Sequence, residues 1–215
     1  MLIRNGLVFT EENIFSPLTI QTNGDKITAL SASGFSSALI DTEETIIDAS
    51  GCYVIPGLTD IHFHGVCGYD FCDDSFEAYE AITKFCLING VTSICPATMT
   101  LPEAKLEHIC RTAASFYKRQ QLDSAFTQAD YKTAKAAMDA GALHVTHLFN
   151  AMPSFHHRDT GVIGAAVAAA TINPCRSIGM DHLYGSILPG KKAHFLLLDR
   201  NSLEIKRIIK GQPIG

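Results

Sequence analysis

The sequence predicts an α/β chain in which a helix-and-strand middle is flanked by β-rich ends. Three observations carry this. Residues 1 to about 54 are short β-branched runs split by turn signals. Residues 183 to 215 read the same way. Between them, capped amphipathic helices alternate with short apolar strands, the pattern of βα units and a parallel sheet.

The elements follow in order. "LIRNGLVFT", "SPLTIQTNGDKITAL" and "ETIIDASGCYVI" are strand runs, broken at Asn5-Gly6, Asn23-Gly24 and Ser50-Gly51. "CYVIPGLTDIHFHG" is an apolar strand, a Pro-Gly turn and a second short strand. "DSFEAYEAITKFCLING" is a helix with Asp74 or Ser75 as cap and Gly90 as stop. "VTSICPATM" is a buried strand. "LPEAKLEHICRTAASFYKRQQ" is a helix with Pro102 at its first position. "TQADYKTAKAAMDAG" is a third helix, with Thr127 and Asp130 in capping-box spacing and Gly141 closing it. "ALHVTHLFNAM" is a strand. The end, "GSILPGKKAHFLLLDRNSLEIKRIIKG", gives three short strands separated at Pro189-Gly190 and Asn201-Ser202.

Composition narrows the function. The 215 residues are 47% hydrophobic and 18% charged, with net charge −5. That suits a globular chain with a substantial core. It gives no support for nucleic-acid or membrane partners. The longest apolar run, "GVIGAAVAAATI", is short of the ~20 residues that cross a bilayer. The N-terminus lacks a secretory pattern. Seven scattered cysteines suit a reduced, cytoplasmic protein better than a disulfide framework.

The chemistry points to "GLTDIHFHG". On a strand, alternate side chains share a face, so Asp60, His62 and His64 point one way and Phe63 the other. Two imidazoles two residues apart can converge on one ion, and imidazole is the commonest metal ligand. The same pattern also suits two ordinary histidines at a strand end. In parallel sheets the chemistry gathers at the C-terminal strand ends. His147 lies near such an end and is the third candidate ligand, whereas His144 faces the other way. His108 reads as a solvated mid-helix residue. His156 and His157 read as loop residues, and His182 and His194 show no partner in sequence.

With these pieces in place, the chain resembles the N-acetylglucosamine-6-phosphate deacetylases of the amidohydrolase superfamily. The matching stretches are "VIPGLTDIHFHGVCGYDF", "GVTSICPATMT", "ADYKTAKAAMDAGALHVTHLFNAMP", "RDTGVIGAA", and "ATINPCRSIG" followed by "GSILPGKKAHFLLLD". "THLFNAMP" is the most specific, and it argues against a dihydroorotase-like or adenine-deaminase-like activity. The resemblance implies a metal-dependent (β/α)₈ barrel over residues 55–182. Beside it stands a small β-sandwich built from residues 1–54 and 183–215. It implies hydrolysis of the acetamide of N-acetylglucosamine 6-phosphate to glucosamine 6-phosphate and acetate, with one or two divalent ions, zinc or iron. His62, His64 and His147 map onto metal positions. Asn150 and Ala151 map onto the loop that holds the sugar, and Arg158 onto the phosphate-binding arginine. In the family that arginine reaches the neighbouring subunit, which implies a homodimer.

The resemblance also implies that segments are missing. A (β/α)₈ barrel usually takes ~250 residues. Residues 55–182 leave room for about four βα units at ~30 residues each, so the barrel is expected to be incomplete. Phe126 stands where the family has a metal-binding His. The family's metal-binding Glu, its substrate-binding His and its catalytic Asp have no counterpart, so no catalytic residue is assigned. The expectation is a weakly held metal, near-absent turnover and open edges that favour association. Two other readings stand beside this: a non-catalytic remnant of the family that still binds metal or sugar phosphate, and a zinc module using His62, His64, Cys67 and Cys72. The Cys spacing of the latter fits no standard structural zinc site.

Overall fold

The computed structural model describes residues 1–32, 45–120 and 167–214. The chain divides into two compact units, Met1–Leu58 with His156–Gly215, and Thr59–Phe155.

The first unit is made of strands from both ends of the chain. Seven come from the N-terminal segment: β1 (Leu2–Arg4), β2 (Leu7–Phe9), β3 (Phe15–Pro17), β4 (Thr19–Asn23), β5 (Lys26–Ser31), β6 (Ile46–Asp48) and β7 (Cys52–Pro56). Three more are β12 (His194–Asp199), β13 (Ile205–Lys210) and β14 (Gln212–Ile214). They form a four-stranded sheet in the order β5-β4-β1-β6 and a six-stranded sheet in the order β14-β13-β12-β7-β2-β3. One hydrophobic core takes Ile3, Ile20, Ile27 and Ile47 from the first sheet, and Val8, Val54, Phe195, Leu197 and Ile209 from the second. Near-complete burial of such side chains is worth roughly 1.5–3 kcal/mol each before chain entropy is counted.

The turn signals sit where the backbone demands them. Asn5 adopts φ 66°, and Gly6 follows as the chain leaves one sheet for the other. A Cβ on Gly6 would lie 2.7 Å from Val54 Cγ2, so the crossing needs a residue without a side chain. Pro56-Gly57 is not a hairpin turn. β7 pairs with β2 and β12, whereas the next strand, β8 (Leu58–Phe63), pairs with β11 (Val91–Pro96). The expected strand at "GSIL" is also absent. The Lys192 N–H donates to Leu183 O, Gly190 N–H to Ile27 O and Ala193 N–H to Asp25 O. These long-range bonds hold the segment as a loop against the β4–β5 hairpin, with Ile187 buried beneath. A short helix, α3 (Ile172–Ser177), precedes it.

The second unit has helix α1 (Phe76–Ile88) between β8 and β11, and α2 (Glu103–Gln120) after them. Ser75 caps α1, its hydroxyl accepting the Ala78 N–H at 3.2 Å, and Gly90 at φ 81° ends it. Pro102 stands one position earlier than expected, its carbonyl accepting from Lys105 and Leu106. Helix ends shift by a residue when the first turn tightens. Phe71, Ala78, Tyr79, Ile82, Ile94, Ala113 and Phe116 form this unit's core. The Tyr79 hydroxyl is retained inside it by donating to Phe71 O at 3.1 Å. The third expected helix and the strand carrying His147 lie outside the described residues.

Candidate metal centre

Strand alternation sets the geometry. On one side of β8, Thr59 is buried and Phe63 packs edge-to-face on Phe71 with ring centres 5.3 Å apart. On the other stands His62, and His64 follows just past the strand's end, with ring centres 5.3 Å apart and planes at 81°. Two imidazoles on one tetrahedral ion, at metal–nitrogen distances of ~2.0–2.1 Å, place their ring centres ~5 Å apart. His64 Nδ1 is buried and has no hydrogen-bond partner. A buried nitrogen left unpartnered is costly, and a ligand relieves that cost. The pair therefore fits a divalent ion.

The backbone of each histidine is tied independently. Asp60 Oδ1 accepts the His62 N–H at 3.0 Å. The Phe71 N–H donates to His64 O at 2.9 Å. Phe71 opens a 3-10 turn, Phe71–Asp73, whose N-cap Asp70 accepts from Cys72 while Asp73 accepts from Asp70 in return. A short hairpin of β9 (Gly65–Val66) and β10 (Tyr69–Asp70) lies between His64 and this turn.

Among the described residues, no group of three or more His, Cys, Asp or Glu side chains comes together around one point. His147, Asn150, Ala151 and Arg158 all lie outside the described residues, as do Phe126, His144, His156 and His157. The zinc module with Cys67 and Cys72 does not form. Cys67 is exposed, and Cys72 Sγ accepts the Met99 N–H at 3.1 Å. None of the seven cysteines is in a disulfide, and Cys52, Cys86 and Cys175 are buried. Burial, reinforced by the Asp60 carboxylate, pushes the Cys86 thiol up to about 11.

His108 is not simply solvated. Its Nδ1 pairs with Asp74 Oδ2, joining α2 to the left-handed residue that closes the 3-10 turn. Nothing local in the sequence signals a contact across 34 positions. His182 Nδ1 lies 3.0 Å from Gly179 O. His194 is buried on β12 with its ring 5.4 Å from that of Tyr184.

Residues 161–213 match the model of the amidohydrolase family. The chain also resembles an enzyme, N-acetylglucosamine-6-phosphate deacetylase. It is 25% identical to the Bos taurus deacetylase over 193 residues, an alignment covering 54% of this chain and 47% of that protein. The chain spans about half the length of the curated relatives it matches, or less. In fold it is similar to the Pasteurella multocida deacetylase, with a TM-score of 0.68, 13% identity and 98% of each chain covered. A Mycobacterium smegmatis deacetylase variant, solved in complex with N-acetyl-D-glucosamine-6-phosphate, gives a TM-score of 0.60 at 15% identity, covering 99% of this chain and 98% of its own. At such identities the likeness is one of fold, a mixed α/β architecture.

Proposed function

We propose that this chain carries the metal-dependent deacetylase site of an N-acetylglucosamine-6-phosphate deacetylase, placed on an incomplete (β/α)₈ barrel of residues 55–182. A β-sandwich of residues 1–54 and 183–215 completes the proposed domain arrangement. The observation that carries the reading is the His62–His64 pair. Its ring spacing suits a shared ion, and the buried Nδ1 of His64 has no hydrogen-bond partner. A divalent ion, zinc or iron, supplies Lewis acidity toward a carbonyl and acidifies a bound water.

The chain's own residues divide the remaining work. His62, His64 and His147 hold the ion through neutral imidazole nitrogens. Asn150 and Ala151 hold the sugar by backbone and side-chain amides. Arg158 grips the phosphate, since a guanidinium fork binds two oxygens at once. Asp60 is assigned to holding the His62 backbone, whose N–H its Oδ1 accepts, rather than to the base role. No described helix is long and apolar enough to cross a membrane. We take the chain as a cytoplasmic homodimer acting on a small sugar phosphate.

A second reading has its own support. No third ligand joins the histidine pair among the described residues, and the family's catalytic Asp has no counterpart in the sequence. A non-catalytic relative that binds metal or sugar phosphate fits these facts. Acetate release from N-acetylglucosamine 6-phosphate, measured beside calorimetric binding of the same sugar phosphate, separates the two. The expected result is binding weakened at least tenfold by Arg158→Ala, with turnover close to the no-enzyme rate. A missing general base typically costs 10²–10⁴-fold. Ordinary turnover abolished by His147→Ala would establish the active enzyme instead. Absence of binding would remove the sugar-phosphate reading.

A further inference from the structure

We infer that Asp60 and Gly65 are positioning residues that hold the His62–His64 pair from its two sides. This rests on reading the pair as metal-binding. Two ligands on one strand coordinate well only if the backbone between them is fixed, because a small rotation at either residue changes the spacing of the nitrogens.

On the N-terminal side, the His62 N–H is taken by the Asp60 side chain at 3.0 Å. The bond ties a side chain to the backbone two residues on and fixes the peptide that carries His62. On the C-terminal side the hold is longer. Gly65 opposes Asp70, and Val66 opposes Tyr69. A Cβ on Gly65 would lie 2.0 Å from Tyr69 O and 2.7 Å from Asp70 Cα. Both atoms are backbone, so neither can swing away, and only glycine lets the hairpin close. The closed hairpin delivers the Phe71 N–H to His64 O at 2.9 Å. Phe71 is itself fixed, with 3% of its surface exposed and its carbonyl accepting from Tyr79. The core of the unit thus reaches the His64 backbone through Phe71, and Gly65 is the residue that permits the connection.

The test uses the full chain with Asp60→Ala, Asp60→Asn and Gly65→Ala. Zinc binding is read by calorimetry, and the ring Cε1–H resonances of His62 and His64 are read in the metal-free chain. An asparagine oxygen can accept the same N–H, whereas alanine cannot. The expected result is zinc binding about tenfold or more weaker in Asp60→Ala and Gly65→Ala. Asp60→Asn should stay within about twofold of the parent. The metal-free imidazole lines should move in Asp60→Ala and return in Asp60→Asn. Should Gly65→Ala not fold, the Asp60 pair of variants still decides the argument on that side. Equal losses in Asp60→Asn and Asp60→Ala would overturn it, since the charge and not the hydrogen bond would then matter. Parent-like behaviour of Asp60→Ala would also overturn it. Should the parent take up no zinc, the metal reading fails separately. The metal-free resonances then decide the positioning, supporting it if displaced and restored, overturning it if unmoved.

Discussion

The two units build their cores in opposite ways. In the two-sheet unit, neighbours are distant in sequence: Leu2 pairs with Ile46, and Pro56 with Phe195. In the unit of β8, α1, β11 and α2, the core residues lie between Phe71 and Phe116. The sheet unit holds the whole of the amidohydrolase-family match, yet the histidine pair belongs to the other unit. The match to the family model and the histidine pair thus fall in different units, although the stretches that resemble the deacetylases include the one that carries His62 and His64. A sheet closed by long-range pairs cannot lose one end and keep its core. A locally built α/β unit can keep its histidines with few distant contacts.

The sharpest way to break this contrast is to damage one core and watch the other. Phe195→Ala empties a fully buried site shared by both sheets, a change that costs about 3–5 kcal/mol. Denaturant unfolding should show the loss in the sheet unit, with the environment of Tyr79 unmoved below that transition. A single transition displaced as a whole would show that the two cores stand or fall together. Cysteine labelling sharpens the contrast further. At pH 8 the buried Cys86, held up to about 11, should react with iodoacetamide on the order of a hundredfold more slowly than exposed Cys67, since the thiolate is the nucleophile. Equal rates would mean that the α/β core opens readily.

Smaller effects come next. Ser75→Ala removes the α1 cap and should cost about 1 kcal/mol, read in the α/β unit alone. The smallest concerns the β12–β13 connection. Asp199 is held down to about 2, chiefly by its hydrogen bond from Lys206 and then by the N–H groups of Ser202 and Asn201. A depressed carboxylate stabilises the fold above its unfolded pKa of ~3.9 and loses that contribution as pH falls toward 2. Asp199→Asn should therefore flatten the acid dependence of stability between about pH 4 and 2. An unchanged profile would assign that dependence to other carboxylates.

How much was legible in the sequence follows the same division. The helices α1 and α2 were readable because caps and apolar period are local signals, as Ser75 and Gly90 show. The shared face of His62 and His64 follows from strand alternation alone. What local pattern could not supply was partnership. Pro56-Gly57 looks like a hairpin turn, and only sheet pairing reveals a passage between sheets. "GSIL" has strand composition, but its neighbours bond to the β4–β5 hairpin. Asp60 stood out beside the histidines in sequence without any sign that its carboxylate serves the His62 backbone. The link from His108 to Asp74 had no local trace at all.

Equilibrium dialysis of the purified chain against zinc, followed by metal analysis, tests the central claim most directly. One weakly held ion per chain is expected, lost in the double variant His62→Ala, His64→Ala, while Phe195→Ala, which damages only the core of the two-sheet unit, retains it. Equal zinc content in the parent and the double histidine variant would contradict the claim that the chemistry of this chain resides at the end of β8.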